Sequence, residues 1–110
     1  MAELHGNFNL EVCMSCDREH MRDYRVRCAN RCHDHKTGRI CDTPECKGNL
    51  KDTIINFGEN LDEEILEKGF ALHAASDLVI MMGSSMRVSP ANDMPYGVQA
   101  NGGKMVMINL

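Results

Sequence analysis

Six cysteines in 110 residues are the first candidates for chemistry. Cys13 and Cys16 form a C-x2-C knuckle, and two thiolates at that spacing can grip one tetrahedral zinc ion from a tight turn. Spacing leaves the other half of the site open. Four residues separate Cys41 from Cys46, three separate Cys28 from Cys32, and His33 or His35 could replace a thiolate. A zinc held by four thiolates is coordinatively full, so such a site would be structural. The competing chemistry is thiol redox at Cys13 and Cys16, but such motifs sit at a strand-to-helix junction and nothing helical follows Cys16.

A second group lies near the C-terminal end. Gly83-Ser84-Ser85 directly follows an apolar run, and Asn109 ends the next one. In open α/β sheets, ligands bind beyond the carboxyl ends of strands. Glycine there lets a ligand approach the backbone, and hydroxyls can bond to ribose or phosphate. As a pattern this is weak, because Gly-Ser is also ordinary turn chemistry. His5 is one of five histidines and carries no signal by itself.

These residues need elements to position them. Residues 7–12 alternate polar and apolar and predict a half-buried strand running into Cys13. Residues 13–48 are polar, with turn signals at Thr37-Gly38 and Lys47-Gly48, and bury too little to fold without a metal. Residues 53–57 are β-prone and end at Gly58, so they predict a short strand or extended segment. A helix is expected over about 61–76, with Asn60 as N-cap, Glu63 closing a capping box and acid in the first turn. Asp77–Met82 and Lys104–Asn109 read as parallel strands buried on both faces, with a crossover helix near 91–100 between them. A βαβ unit implies α/β architecture, and two parallel strands need further partners.

Composition bounds the remainder. Hydrophobic residues make up 43% and charged residues 25%, as in an ordinary folded protein. There is no Trp, with three Phe and two Tyr, so the core must rest on aliphatic residues and nine Met. The net charge of −4 gives no global attraction to nucleic acid. Residues 17–39 nonetheless hold seven Arg or Lys against four acids, and residues 59–68 hold five acids against one Lys. The basic stretch could touch a polyanion but reads as a solvated surface loop. No apolar run is long enough to span a bilayer, and no secretory signal opens the chain, which places the cysteines in a reducing compartment and favours metal over disulfides.

Read in order, Glu3-Leu4-His5-Gly6-Asn7, the Cys13–Cys16 knuckle, Gly38-Arg39-Ile40-Cys41, Leu50–Ile54, Phe57-Gly58-Glu59, Gly83-Ser84-Ser85 and Ile108-Asn109-Leu110 resemble a sirtuin. The similarity covers nearly the whole chain and looks most like the branch of nuclear, chromatin-directed members. It implies an NAD-dependent protein lysine deacylase that transfers the acyl group to ADP-ribose and releases nicotinamide. The implied fold is a partial Rossmann-like parallel sheet with an inserted small zinc-binding module. That divides the chain into a catalytic-histidine segment and strand (1–12), a zinc module (13–52) and the C-terminal part of the NAD-binding domain (53–110).

The resemblance also implies roles. His5 matches the catalytic histidine, a neutral base near pH 7. Cys13, Cys16, Cys41 and Cys46 match the structural zinc ligands, which leaves Cys28 and Cys32 as free thiols or an accessory site. Phe57, Gly58 and Glu59 match the segment whose backbone pairs with the substrate peptide, and Val88 with Pro90 the opposite wall of that cleft. Gly83, Ser84, Ser85, Asn109 and Leu110 match contacts to NAD. The implied partners are acylated lysines in proteins, histones among them, in the nucleus and away from membranes. The family's Gly-rich diphosphate loop and Asn-Asp pair are not present, so the 110 residues are expected to be a fragment inactive alone. Competing readings are a mono-ADP-ribosyltransferase using the same site, a non-enzymatic zinc module binding protein or nucleic acid through Arg22, Arg25, Arg27 and Arg31, and a thiol redox protein.

Overall fold

The computed structural model describes residues 1–27 and 33–110, so Cys28, Arg31 and Cys32 lie outside the described residues. The chain divides into two compact units, one of His5–Asn60, the other of Met1–Leu4 with Leu61–Leu110. Among the described residues, no helix is long and apolar enough to cross a membrane.

The first unit is a four-stranded antiparallel sheet in the order β2-β1-β4-β3. Its strands are β1 (Leu10–Cys13), β2 (Glu19–Met21), β3 (Lys36–Ile40) and β4 (Asn49–Asp52). The first strand begins later than the alternation suggested. Asn9 N–H donates to the Asn7 side chain at 2.8 Å and Leu10 N–H to the Asn7 carbonyl at 3.2 Å, so residues 7–9 form a turn instead of a ladder. At the other end, Asp52 Oδ1 accepts from Ile54 N–H at 3.0 Å. That local bond ends β4 at Asp52, and the β-prone residues 53–57 follow outside any strand.

This sheet packs on charge as well as on apolar groups. Among the described residues its buried apolar cluster is Cys13, Cys41 and Leu50, with Cys46 against it, and Val26 is buried apart from that cluster. Beside them Glu11 is fully buried. Arg22 Nε donates to Glu11 at 2.8 Å, and Arg39 Nε reaches both carboxylate oxygens at 3.1 and 2.8 Å. Burial works to raise the Glu11 pKa, but hydrogen bonds from Arg22, Thr37 and Arg39 outweigh it and hold the carboxyl below its usual range. Arg39 also donates to the Val26 carbonyl and lies 5.4 Å from the Tyr24 ring centre, while Arg25 lies 4.8 Å from that of Phe8.

The second unit contains α1 (Glu63–Ala74), β5 (Leu78–Met82), α2 (Met94–Ala100) and β6 (Lys104–Ile108). With the antiparallel sheet, this makes a mixed α/β chain. The helix α1 starts two residues later than expected. Asp62, not Asn60, is the N-cap: its Oδ1 accepts from Ile65 N–H at 3.0 Å, and Glu63 and Glu64 occupy the first turn. Pro95 falls in the first turn of α2, where its missing N–H leaves no bond unmade. The strands β5 and β6 are parallel and in register from Leu78 opposite Lys104 to Met82 opposite Ile108. They are not buried on both faces within this chain. Met81 is buried, while Ile80, Met82 and Ile108 are more than half exposed, because two strands cannot cover each other's faces. Met81, Met94 and Val98 form the buried apolar centre here.

Removing Glu11 would leave Arg22 and Arg39 facing a buried gap. The variant Glu11→Ala is expected to lose about 3–5 kcal/mol of stability, read as a lower urea midpoint in zinc-containing buffer. Because the folded pKa of Glu11 lies below the unfolded one, the stabilisation is full above the ordinary carboxylate range and is lost as pH falls through the lowered value. A wild-type midpoint for Glu11→Ala would show that the cluster does not hold the sheet.

Candidate metal centre and nucleotide edge

The antiparallel register brings the four cysteines together. Cys13 ends β1 opposite Leu50 of β4, and Cys16 lies in the turn after it. Cys41 directly follows β3, and its N–H donates to the Gly48 carbonyl at 2.9 Å. Cys46 sits in the same connection, its N–H bonded to the Thr43 carbonyl at 2.9 Å. The Sγ atoms of Cys13 and Cys46 are 3.5 Å apart, those of Cys16 and Cys41 3.9 Å, and all four lie within 4.8 Å of one another. Four sulfurs at roughly 2.3 Å from a tetrahedral zinc are roughly 3.8 Å from each other, whereas a disulfide needs about 2.05 Å. The spacing therefore fits a shared cation and not a bridge. Gly48 is needed at this approach, since a Cβ there would fall 2.7 Å from Cys13 Sγ.

Neighbouring groups shift three of the thiols, Cys13, Cys16 and Cys41. The Ser15 N–H lowers Cys13 to about 7, and the Thr43 hydroxyl lowers Cys41. The Arg18 N–H would lower Cys16 too, but the Cys13 and Cys46 thiols push it up to about 12. Four thiols this close cannot all ionise unaided, and a divalent cation supplies the charge that lets them do so. His33 and His35 are not ligands: their ring nitrogens face Glu59 and Asp52.

One residue at this centre escapes sequence reading. His20 on β2 is buried, with Nε2 3.5 Å from Cys41 Sγ and Nδ1 3.4 Å from Asp42 Oδ1. A ring held by a carboxylate on one side and donating to a thiolate on the other is a usual outer partner of a metal site. Nothing in Glu19-His20-Met21 signals this, because the contact depends on β2 pairing with β1 at Glu11 opposite His20.

The candidate nucleotide edge lies in the second unit. Gly83–Ser85 follow β5 and Asn109–Leu110 follow β6, so both loops leave the same end of a parallel pair. Gly83 N–H donates to the Ile108 carbonyl at 3.0 Å, and Asn109 Nδ2 to the Ser84 carbonyl at 3.1 Å. The Ser84 hydroxyl accepts from Met86 N–H at 3.2 Å. Ser84 and Asn109 are thus tied together at the carboxyl ends of neighbouring strands, where open sheets take their ligands. Val88 lies on the following loop, its carbonyl accepting from Asn92 N–H at 3.0 Å, and the Ser89–Pro90 bond is cis.

His5 belongs to the first unit, on the segment leading to the metal centre. Its carbonyl accepts from Ile55 N–H at 3.2 Å, and Asn7 N–H donates to Thr53 Oγ1 at 3.0 Å. Gly6 has φ +79°, and a Cβ there would lie 1.8 Å from the Thr53 carbonyl oxygen, so only glycine lets the two segments meet. The structure thereby brings His5 beside the segment leading to Phe57, Gly58 and Glu59. Phe57 is 89% exposed.

Loading the centre with zinc gives two expected outcomes. Cys16→Ala should lose the metal and melt at lower temperature. His20→Phe should keep the fold but release zinc to a colorimetric chelator about tenfold faster. An unchanged release rate would remove His20 from the metal's surroundings.

Comparisons with known proteins agree with this geometry. The model of the Sir2 family matches residues 1–90. The NAD-dependent protein deacetylase SRT1 of Oryza sativa subsp. indica is 34% identical over 110 residues, covering 100% of this chain and 22% of that protein. The NAD-dependent protein deacetylase sirtuin-7 of Bos taurus is 42% identical over 93 residues, 80% of this chain and 23% of that protein. A solved structure of Sir2 bound to an acetylated peptide superposes with a TM-score of 0.66 at 31% identity, covering 99% of this chain and 43% of that one. The chain spans less than half the length of each of these relatives. It belongs to the Sir2 family, the sirtuins.

Proposed function

We propose that this chain supplies the general base, residues of the peptide site and part of the nucleotide edge to an NAD-dependent protein lysine deacylase. The observation that carries the reading is the similarity across the whole chain to a protein named as an NAD-dependent protein deacetylase. On this reading β5 and β6 are part of a Rossmann-like parallel sheet, residues 13–52 form the inserted zinc module, and residues 53–110 complete the NAD-binding part. Cys13, Cys16, Cys41 and Cys46 hold a structural zinc that sets β1 against β4.

When bound, NAD would supply an electrophilic ribose carbon for the acyl-lysine oxygen and nicotinamide as the leaving group. His5 takes a proton from a ribose hydroxyl, work suited to a neutral imidazole near pH 7. Gly83, Ser84, Ser85, Asn109 and Leu110 bind the adenosine side. The backbone of Phe57, Gly58 and Glu59 pairs with the acylated peptide as an added strand, giving affinity with little demand on sequence, and Val88 lines the other side. Histones among protein substrates, and the nucleus as location, are proposed from the resemblance of the blocks around His5, residues 50–59 and residues 83–90 to the nuclear, chromatin-directed branch.

The non-enzymatic reading needs free arginines between residues 17 and 39. Arg22 instead bonds to Glu11, Arg25 stacks on Phe8, and Arg27 donates to Asn56 Oδ1 at 3.0 Å. The redox reading needs two exchanging thiols, whereas four converge.

In the full-length gene product, His5→Ala should lower deacylation of an acetyl-lysine peptide by at least about 100-fold. Zinc content and melting temperature should stay at wild-type values. Turnover within a few-fold of wild type would defeat the assignment.

A further inference from the structure

The segment proposed to meet the peptide is held in an unusual way. Residues 56–59 form a tight turn, with Glu59 N–H donating to the Asn56 carbonyl at 3.1 Å and Phe57 and Gly58 at its tip. No strand clamps this turn. It is closed by the Glu59 carboxylate, whose Oε2 accepts from Asn56 N–H at 2.7 Å and from Asn56 Nδ2 at 3.1 Å. The other oxygen, Oε1, faces His35 Nε2 at 2.8 Å and His33 Nδ1 at 2.6 Å. The opposite nitrogen of His35 lies 2.9 Å from Oδ1 of Asp52, a buried residue at the end of β4. The Asp52 N–H donates back to the His35 carbonyl at 2.7 Å.

We propose that His35 is a positioning residue for the acylated peptide, a two-pronged clip that fixes the 56–59 turn to β4 through Asp52 and Glu59. The proposal rests on the reading of residues 57–59 as the peptide-pairing segment. The geometry defines the state of the ring. A neutral imidazole has one N–H and one lone pair, so only the imidazolium can donate to a carboxylate on each side. With the ring neutral, one carboxylate would face a lone pair at under 3 Å. Among the described residues, the charged and titratable groups facing the clip are Asp52, Glu59, His33 and Arg27, whose Nε is 3.8 Å from Asp52 Oδ2.

The electrostatics agree in sign. Hydrogen bonds to Asp52 and then Glu59 raise the His35 pKa against the opposing effect of burial. The Asn56 N–H, followed by His35, holds Glu59 well below the usual carboxylate range, so Glu59 stays ionised wherever His35 titrates. A raised histidine pKa means the clip is fully closed below the ordinary imidazole value and opens as pH rises through the raised one. Peptide affinity should therefore be highest on the acid side and weaken toward alkaline pH.

The test uses the full-length gene product and a fluorescein-labelled acetyl-lysine peptide, with affinity read by anisotropy from pH 6 to 9. His35→Gln keeps a donor for one carboxylate only. It should bind the peptide about tenfold more weakly than wild type at pH 6, the scale of one lost charged hydrogen bond. The two proteins should converge as pH rises through the raised value, where the wild-type clip opens as well. Zinc content equal to wild type separates this from unfolding, and Glu59→Gln, which removes one end of the clip, should show the same convergence. Equal affinity at pH 6, or a deficit constant across pH, overturns the clip and leaves the deacylase reading standing. A wild-type protein that binds no acetylated peptide at any pH overturns both.

Discussion

The crowding of four cysteine sulfurs, repulsive once they ionise, is the constraint on which the first unit is built. Cys13, Cys16, Cys41 and Cys46 come from the β1–β2 and β3–β4 turns at one end of the antiparallel sheet and place their sulfurs within 4.8 Å of one another. As thiolates they would drive each other apart, and as thiols they would offer little cohesion. A zinc ion reverses the sign of the interaction. The unit needs that reversal, because its buried apolar cluster holds one leucine besides the cysteines. Ordering a residue costs about 1–2 kcal/mol of backbone entropy, and so small a cluster cannot offset it for a sheet of this length. Metal binding and folding are then one equilibrium.

The same sheet face carries the constraint away from the metal. On β1, Glu11 and Cys13 are buried; on β4, Leu50 and Asp52 are. The register sets Cys13 opposite Leu50 and Glu11 opposite Asp52. Two buried carboxylates directly across a ladder would destabilise it. Each is neutralised by its own cations, Glu11 by Arg22 and Arg39, Asp52 by His35 with Arg27 nearby. One continuous face thus runs from the metal through two compensated acids to the turn at residues 56–59. Loss of zinc loosens the register, and a loosened register leaves those acids without partners.

Much of this was legible in the sequence, and what was not has physical causes. The C-x2-C knuckle, the amphipathic helix and the two parallel strands carry their own local patterns, and each formed where expected to within a few residues. The strands β2 and β3 carry none: Glu19-His20-Met21 and Lys36–Ile40 are short and mostly polar, and they exist because buried ions and sulfurs hold them. Asp62 displaced Asn60 as the cap because its carboxylate reaches Ile65 N–H, a choice between two good candidates that spacing alone does not make. Thr53–Phe57 has strand composition, but Asp52 takes the Ile54 N–H and ends the ladder first. Glu11, His20 and His35 act through partners distant in sequence, so no window of the chain could reveal them. His5 was legible only through family likeness; in the structure its distinction is the glycine after it.

The sheet is held by the cysteine cluster and buried ions, whereas the 56–59 turn is held by side-chain hydrogen bonds, and that contrast has a functional logic. A segment that is to pair its backbone with an incoming peptide cannot already use that backbone in a ladder. It also cannot be fastened by burying its tip, since Phe57 must stay accessible if the neighbouring amides are to be reached. Side-chain hydrogen bonds are the remaining means of holding it, and Glu59 provides them with both oxygens, to Asn56 on one side and the histidines on the other. Holding the turn by charge and not by packing lets it be rigid and exposed at once. The cost is that this rigidity depends on the protonation of His35, which would join the proposed peptide binding to pH at a residue distant in sequence from His5.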